Sequence, residues 1–352
     1  MRIENKVMTS GSLKVNLSAI RNNWIELNRL SSSYVKTSAV LKANAYGIGM
    51  KKVAPELEKI GVEIFFVATI EEGISLRKLV KNNCKIYLLN GCEKQEGKEI
   101  IENNLIPVLI DKKTIAYFNN MKIKFAIQIE IGMNRLGINI SELMKIRNEI
   151  NFNNLDLLLG HLSSADNKNS KENLKQYENF NSLKNYFEKT PFSLAATAGI
   201  LLNKKFHYNL TRPGVGLYGG FSFPGFQNVI SLSLPILQIK VINKGDGVGY
   251  NHAFKAKKTF RIAIVSGGYA DGLLRTLTKG GALFHNNIKC PIIGKISMDL
   301  ITVDLSNVKD NPKRLFILNE FQSLEILAKS AKTISYEILT NLSRRYNRSY
   351  NV

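Results

Sequence analysis

From about Tyr34 to Gly219 the chain alternates between two kinds of segment, and this alternation constrains the fold more than any other feature. Short apolar runs rich in β-branched residues, such as "EIFFVAT", are followed by longer amphipathic stretches, such as "IEEGISLRKLV". About eight such pairs in ~200 residues are typical of an α/β fold, the (β/α)8 barrel of the TIM type. A doubly wound open sheet is the structural alternative.

The pattern changes after about Leu232. Apolar, β-branched segments with glycine-rich turns follow one another there without intervening helices, and "SLEILAKSAKTISYEILTNLSRR" gives a helical signal near the end. We therefore expect a second, mostly β domain with a final helix. The predicted division is an N-terminal segment, 1–14, that joins the β domain, a barrel over 15–233 and the β domain over 234–352.

The charge of the chain raises the question of an acidic partner. The 352 residues carry a formal net charge of +21, which is compatible with a nucleic-acid or membrane-surface partner. However, the lysines are spread along the whole chain, and the only short basic cluster is "SRRYNR" at 343–348. We therefore expect neither nucleic acid nor a membrane as partner.

The cysteines and the first residues bear on location. Cys84, Cys92 and Cys290 are an odd number without C-x-x-C spacing, which argues against a disulfide framework and against a metal site. The start, "MRIENKVMTSGSLKV", lacks the apolar segment of a signal peptide, and no apolar run approaches a membrane span. The sequence predicts a cytoplasmic protein without a bound metal.

Chemically versatile side chains fall where the predicted barrel strands end. Active sites of such barrels lie at the C-terminal ends of the strands, so these groups would converge on one mouth. They comprise one amine, two guanidiniums, an imidazole, a phenol, a hydroxyl and a glycine turn: Lys42, Arg135, Arg212, His161, Tyr46, Thr197, Gly214 and Val215.

The small groups among them have a plausible joint role. Barrels often bind phosphate with the loops after strands seven and eight. Thr197 offers a hydroxyl there, the Gly214–Val215 turn offers backbone N–H groups, and Tyr46 adds a phenol. A phosphate anchor opposite the Lys42 amine suggests pyridoxal phosphate held as a Schiff base. Arg212, facing the ring nitrogen of that cofactor, would oppose its protonation.

Seven motifs resemble those of the fold-type III alanine racemases, in order along nearly the whole chain. In the barrel they are "AVLKANAYGIG", "GMNRLG", "GHLSSAD" and "TRPGVGLYG". In the second domain they are "VSGGYADG", similar to the motif of the catalytic tyrosine, "GKISMDL", similar to the substrate-carboxylate loop, and "KTISYEIL".

The resemblance implies a homodimer that racemises alanine by two-base proton transfer, with active sites shared between chains. Lys42 would be one base and Tyr269 of the partner subunit the other, because inversion at Cα needs a proton acceptor on one face and a donor on the other. Met298 would meet the substrate carboxylate through its backbone, with Asp299 in support. Arg135 would hold the cofactor's phenolate or the substrate carboxylate. The product would be D-alanine for cell-wall peptide.

Several positions depart from the family pattern. Gln128 replaces a lysine that is carbamylated in many members, so a neutral amide, with or without a bound chloride, would have to orient Arg135. Leu273 replaces a second aromatic, and Arg344 stands where some members place a phosphate-binding tyrosine. Thr197 replaces the usual serine and keeps the hydroxyl.

Other functions remain open at this stage. A racemase of another small amino acid such as serine is one, because a pocket excludes an added hydroxyl only weakly. A fold-type III amino-acid decarboxylase would use the same lysine and barrel. A basic nucleic-acid-binding protein is the non-enzymatic alternative.

Overall fold

The computed structural model describes residues 10–121 and 123–352. They group into two units, one of residues 21–217 and one of residues 10–20 together with 218–352. The chain begins with strand β1 (Ser12–Asn16) and helix α1 (Leu17–Leu30).

The first unit is the predicted barrel of parallel strands and intervening helices. Its strands are β2 (Lys36–Thr37), β3 (Ala39–Val40), β4 (Ile64–Val67), β5 (Lys85–Leu88), β6 (Ile106–Leu109), β7 (Phe125–Glu130), β8 (Ile138–Asn139), β9 (Leu155–Leu159), β10 (Phe192–Ser193) and β11 (Leu210–Thr211). Its helices are α2 (Met50–Lys59), α3 (Ile70–Arg77), α4 (Gly97–Glu102), α5 (Lys112–Asn119), α6 (Ile140–Ile146), α7 (Lys171–Asn181) and α8 (Thr197–Leu202).

The strand pairing runs around the barrel and comes back to the strands at its beginning. The parallel order runs β3, β4, β5, β6, β7, β9 and β10, with the short β8 beside β7. A parallel bridge between Ala196 and Arg212, just beyond β10 and β11, links those two strands, and β11 pairs in parallel with β2. All four residues of β4 and all four of β6 are buried, as expected for strands covered on both faces. This confirms the predicted barrel.

The second unit is rich in β-strands, as predicted. Its later elements are β12 (Ile230–Ile242), β13 (Gly247–Val248), β14 (Phe254–Lys255), β15 (Phe260–Ser266), β16 (Ala282–His285), β17 (Ile288–Pro291), β18 (Leu300–Asp304), β19 (Arg314–Leu318), α9 (Leu324–Ser330), α10 (Ser335–Thr340) and β20 (Asn347–Asn351). β12 is shared: residues 232–235 pair with β19, and residues 236–242 pair with β15 beyond an irregularity in the register.

Two details differ from the sequence-based expectations. The segment predicted as one final helix forms two, because Lys332 takes a left-handed backbone conformation between α9 and α10. The two units also have other bounds than the predicted 15–233 and 234–352, because β12 begins at Ile230 and pairs with β1 and β19 in the second unit. Of the predicted N-terminal segment, residues 1–9 lie outside the described residues, and β1 pairs with β12 and β20.

Candidate active site

Lys42 opens a short turn whose backbone has the unusual hand. The turn Lys42–Tyr46, which we call the lysine turn, follows β3, and residues 43–46 all have φ between 52° and 55°. Left-handed geometry costs an L residue roughly 1–2 kcal/mol, so four in a row persist only where surrounding contacts hold them. The glycines Gly47 and Gly49, also at positive φ, end the turn at no such cost.

The groups predicted to bind phosphate lie together in the barrel. Thr197, almost fully buried at the start of α8, accepts hydrogen bonds at Oγ1 from the backbone N–H groups of Gly214 (3.1 Å) and Gly216 (3.3 Å). The Tyr46 phenol lies so close to Gly214 that a Cβ built there would be 2.3 Å from its hydroxyl oxygen. A side chain at 214 would therefore displace the Tyr46 phenol, and the hydroxyls and N–H groups form a cradle of phosphate-binding type. Val215 follows, buried, in the same turn.

Arg212 is a buried cation with fixed partners. One of its terminal nitrogens donates to the hydroxyl of Ser193, and the other donates to the carbonyl of Gly160 at 2.7 Å. Burial lowers the pKa of its guanidinium to about 10, which leaves it charged at neutral pH. The pKa of His161 is lowered to about 3 by burial and by the positive charges of Arg212, Arg135 and Lys42. The imidazole is therefore neutral at neutral pH.

Arg135 leaves the barrel on a turn that a carboxylate holds. Glu130, the last residue of β7, accepts from the backbone N–H groups of Gly132, Met133 and Arg135 at 2.5, 2.7 and 3.2 Å. Burial raises the pKa of Glu130, but these backbone donors outweigh it and hold the pKa below its usual range. Sequence reasoning missed this residue, although an acid ending a strand before "GMNRLG" is a visible signal.

Gln128 stands at the position of the family's carbamylated lysine, but its side chain does not hydrogen-bond to Arg135. Its amide donates to the carbonyl of Ile129 at 3.3 Å. Gln128 and Arg135, both within the described ranges, share no hydrogen bond. The role proposed for Gln128 in orienting Arg135 stays a prediction.

The amine of Lys42 is shifted toward its neutral form. Burial lowers its pKa, the nearby charge of Arg135 lowers it further, and Glu72 partly opposes both. The electrostatic effects connect Lys42, Arg135, His161 and Arg212, so the structure brings these four predicted residues together in the barrel. A poorly solvated amine among cations is an activated nucleophile and base.

The predicted residues of the second unit also lie together. Tyr269 opens a short turn that directly follows Gly268, and its backbone N–H donates to the carbonyl of Ser297 at 3.2 Å. The N–H of Ala270 donates to the carbonyl of Met298 at 3.0 Å. A Cβ at Gly268 would be 2.3 Å from the Met298 carbonyl oxygen, so this close approach needs glycine. Tyr269 and Met298 are 46% and 54% exposed, so both residues present accessible surface to a ligand or another chain.

Arg345 joins the two segments of this second cluster. Its guanidinium binds Asp271, in the Tyr269 turn, at 3.4 Å, and Asp299, beside Met298, at 2.8 Å. Asp271 also accepts from the N–H of Gly268 at 3.0 Å. Arg345 belongs to the basic cluster noted in the sequence, where its role was missed because its partners are distant along the chain.

The remaining departures from the family pattern have plain structural settings. Leu273 is buried, at 3% exposure, and packs in the core of its unit. Arg344 is exposed, and its part in phosphate binding stays a prediction. Over residues 10–121 and 123–352, no cluster of three or more His, Cys, Asp or Glu side chains could hold a metal ion. In the same ranges, no helix has the length and apolar character needed to span a membrane.

Fold and site define a class. A barrel with an activated amine, a phosphate cradle and two neighbouring guanidiniums is the arrangement of a pyridoxal-phosphate-dependent enzyme of the barrel type. Comparison with family models is more specific. The model described as "Alanine racemase, N-terminal domain" matches residues 15–221, and "Alanine racemase, C-terminal domain" matches residues 229–350. The chain belongs to the alanine racemase family.

Individual relatives agree over the full length. An alanine racemase of Cereibacter sphaeroides is 39% identical over 345 residues, covering 97% of this chain and 99% of the relative. One of Dinoroseobacter shibae is 37% identical with the same coverage. Among solved structures, the alanine racemase of Bartonella henselae with covalently bound pyridoxal phosphate is 33% identical, has a TM-score of 0.92, and covers 98% of this chain and 100% of that one. The biosynthetic alanine racemase of Pseudomonas aeruginosa is 28% identical, also with a TM-score of 0.92.

Proposed function

We propose that this chain interconverts L- and D-alanine with two protein bases, Lys42 and the partner subunit's Tyr269. Membership of the family sets the class: a pyridoxal-phosphate-dependent isomerase whose D-alanine serves cell-wall peptide. The single observation that supports Lys42 as one base is its buried amine, whose pKa burial and the nearby charge of Arg135 lower.

The side chains of the barrel fit the cofactor. Thr197, Gly214, Val215 and Tyr46 would hold its phosphate, because their hydroxyl and N–H groups surround a turn that has no room for a Cβ. Arg212 and His161 would line its ring. When bound, pyridoxal phosphate supplies an aldehyde that combines with amines and a conjugated ring that stabilises negative charge at Cα.

The protein's part is to move protons and fix orientation. Lys42, with its lowered pKa, accepts a proton from Cα on one face. His161, with a pKa of about 3, is neutral at neutral pH. Arg212 stays cationic at neutral pH and would oppose protonation of the cofactor's ring nitrogen. Weaker electron withdrawal favours prompt return of the proton over side reactions.

The second base requires a residue on the other face. Tyr269 is half-exposed in its own unit and stands beside the Met298–Asp299 loop, which we propose meets the substrate carboxylate. A homodimer in which each barrel receives the partner's Tyr269 would supply that base. We also propose a cytoplasmic location, which the three free thiols Cys84, Cys92 and Cys290 support.

The test is racemisation in deuterated water. Purified protein with pyridoxal phosphate and L-alanine is expected to yield D-alanine with deuterium at Cα, and L-serine is run beside it to measure substrate breadth. Tyr269→Phe should abolish exchange from L-alanine and leave cofactor absorbance intact, whereas Lys42→Ala should lose both. Absence of D-alanine from protein that carries the cofactor would refute the proposal.

A further inference from the structure

Glu72 bridges the lysine turn and a barrel strand. It lies in the first turn of α3, and its Oε1 accepts from the backbone N–H groups of Ala43 at 2.5 Å and Asn44 at 3.4 Å. Its Oε2 accepts from the N–H of Ala68, the residue after β4, at 2.8 Å. One carboxylate thus ties the turn that begins at Lys42 to the end of the neighbouring strand.

The chemistry of this bridge requires a carboxylate. The first N–H groups of a helical turn have no acceptor within the turn, and an anion satisfies them with stronger bonds than a neutral group does. An amide side chain could accept from only one of the two segments, since its NH2 group would face the N–H of the other. Glutamine at 72 would therefore keep the size of the side chain and break the bridge.

We propose that Glu72 is a positioning residue that holds the left-handed lysine turn and thereby sets the separation between the Lys42 amine and the Tyr46 phenol. Lys42 begins the turn and Tyr46 ends it, so the shape of the turn fixes where both groups stand. The inference rests on the proposed function, in which Lys42 and Tyr46 hold opposite parts of the cofactor.

The structure offers a matched control in the preceding residue, Glu71. The N-cap bond of α3 runs from the backbone N–H of Glu72 to the side chain of Thr69, so a change in the Glu72 side chain leaves this bond in place. Glu71 lies in the same helical turn, is exposed, and has its side chain hydrogen-bonded to Thr69, whereas the lysine-turn N–H groups of Ala43 and Asn44 donate to Glu72. Glu71→Gln removes the same charge at the same end of the helix without touching the bridge.

The experiment compares Glu72→Gln with Glu71→Gln by two measurements. One is amide hydrogen exchange over residues 43–46, and the other is the dissociation constant of pyridoxal phosphate from its visible absorbance. Glu72→Gln is expected to exchange faster over the lysine turn and to bind the cofactor ~10-fold more weakly, the loss expected for a charge-assisted bond. Glu71→Gln should match the wild type in both.

Equal cofactor affinity in the two variants would overturn the inference, whatever the exchange rates. If Glu72→Gln does not fold, Glu72→Asp against Glu71→Asp replaces it, because the shorter side chain keeps the charge but cannot span both segments. Glu72→Asp must then bind pyridoxal phosphate more weakly than Glu71→Asp does. Cofactor binding and hydrogen exchange are both measured without turnover, so failure of this inference is distinct from failure of the wild type to racemise alanine.

Discussion

The charges around Lys42 determine which side chains at the mouth of the barrel are charged and which are neutral. Arg135 lowers the pKa of the Lys42 amine, and Arg212 and Arg135 both lower that of His161, so the site keeps its permanent positive charge on guanidiniums. The amine and the imidazole are thereby biased to their neutral forms. A neutral amine is the form that can attack an aldehyde or accept a proton.

Arg135→Gln is expected to raise the pKa of Lys42, because a cation that disfavours the ammonium form is removed. The pH dependence of labelling of Lys42 by an amine reagent, read by mass spectrometry on protein freed of cofactor, measures this. Below the midpoint, labelling should be slower in the variant than in the wild type at equal pH, and the midpoint should move upward.

Arg29→Gln provides the control, because Arg29 is on the surface in an ion pair with Glu26 and is not among the charges that shift Lys42. Its labelling curve should overlie that of the wild type. An unchanged midpoint in Arg135→Gln would contradict the electrostatic account of the amine.

At the scale of elements, the barrel was predictable and parts of the β unit were not. Parallel strands covered on both faces leave continuous apolar runs that are visible locally, as in Ile64–Val67. β20 (Asn347–Asn351) consists of polar residues and exists because it pairs with β1, a partner more than 300 residues away, so no local pattern reveals it. The break at Lys332 has no glycine or proline to signal it.

The candidate site likewise contains residues that the sequence predicts and residues that it does not. Lys42, Arg135, His161, Thr197 and Arg212 were predictable because they sit at the ends of strands. The groups that hold them in place were not, because their partners are brought near only by folding. "TIEE" at 69–72 has the form of a capping box, but the structure alone reveals that its second glutamate also reaches the lysine turn.

Arg345→Gln tests whether the Asp271–Arg345–Asp299 link aligns the Tyr269 turn with the Met298 loop. The link is exposed, so we expect a modest loss of about two- to fivefold in kcat. The dissociation constant of pyridoxal phosphate should not change. Steady-state kinetics and cofactor absorbance give the two numbers.

Lys289→Gln, a similar loss of charge on the exposed part of β17, is the comparison for Arg345→Gln. It should leave kcat unaltered. If both variants have the same kcat, the link does not align the two segments.

At the scale of the whole molecule, the chain builds one unit from continuous sequence and the other from two separate stretches. Residues 21–217 form the barrel, and residues 10–20 join residues 218–352. Lys42 belongs to the first unit and Tyr269 to the second. The proposed shared site therefore requires a dimer, and this requirement can be tested without a structure of the dimer.

Mixing two inactive variants is expected to restore activity. In a dimer that pairs Lys42→Ala with Tyr269→Phe, one site would carry both changes and the other neither. Random exchange of subunits should then recover about one quarter of wild-type activity, because half the dimers are mixed and each has one intact site. Activity assays before and after co-refolding measure it.

Each variant refolded alone is the control and should stay inactive. If both bases of a site came from one chain, every mixed dimer would be inactive at both sites. Absence of recovery, with mixed dimers demonstrated by native mass spectrometry, would thus rule out the shared site.

The pairing of β1 with β20 has a consequence for biosynthesis. β1 lies between β12 and β20 in its sheet, and β20 is translated after every other described strand. The continuous barrel can fold while the ribosome is still adding residues, whereas β1 must wait until β20 has been synthesised before both its edges are covered. A chain truncated before Asn347 would therefore contain a foldable barrel and an unpaired edge on β1, which would make it a substrate for chaperones and proteases.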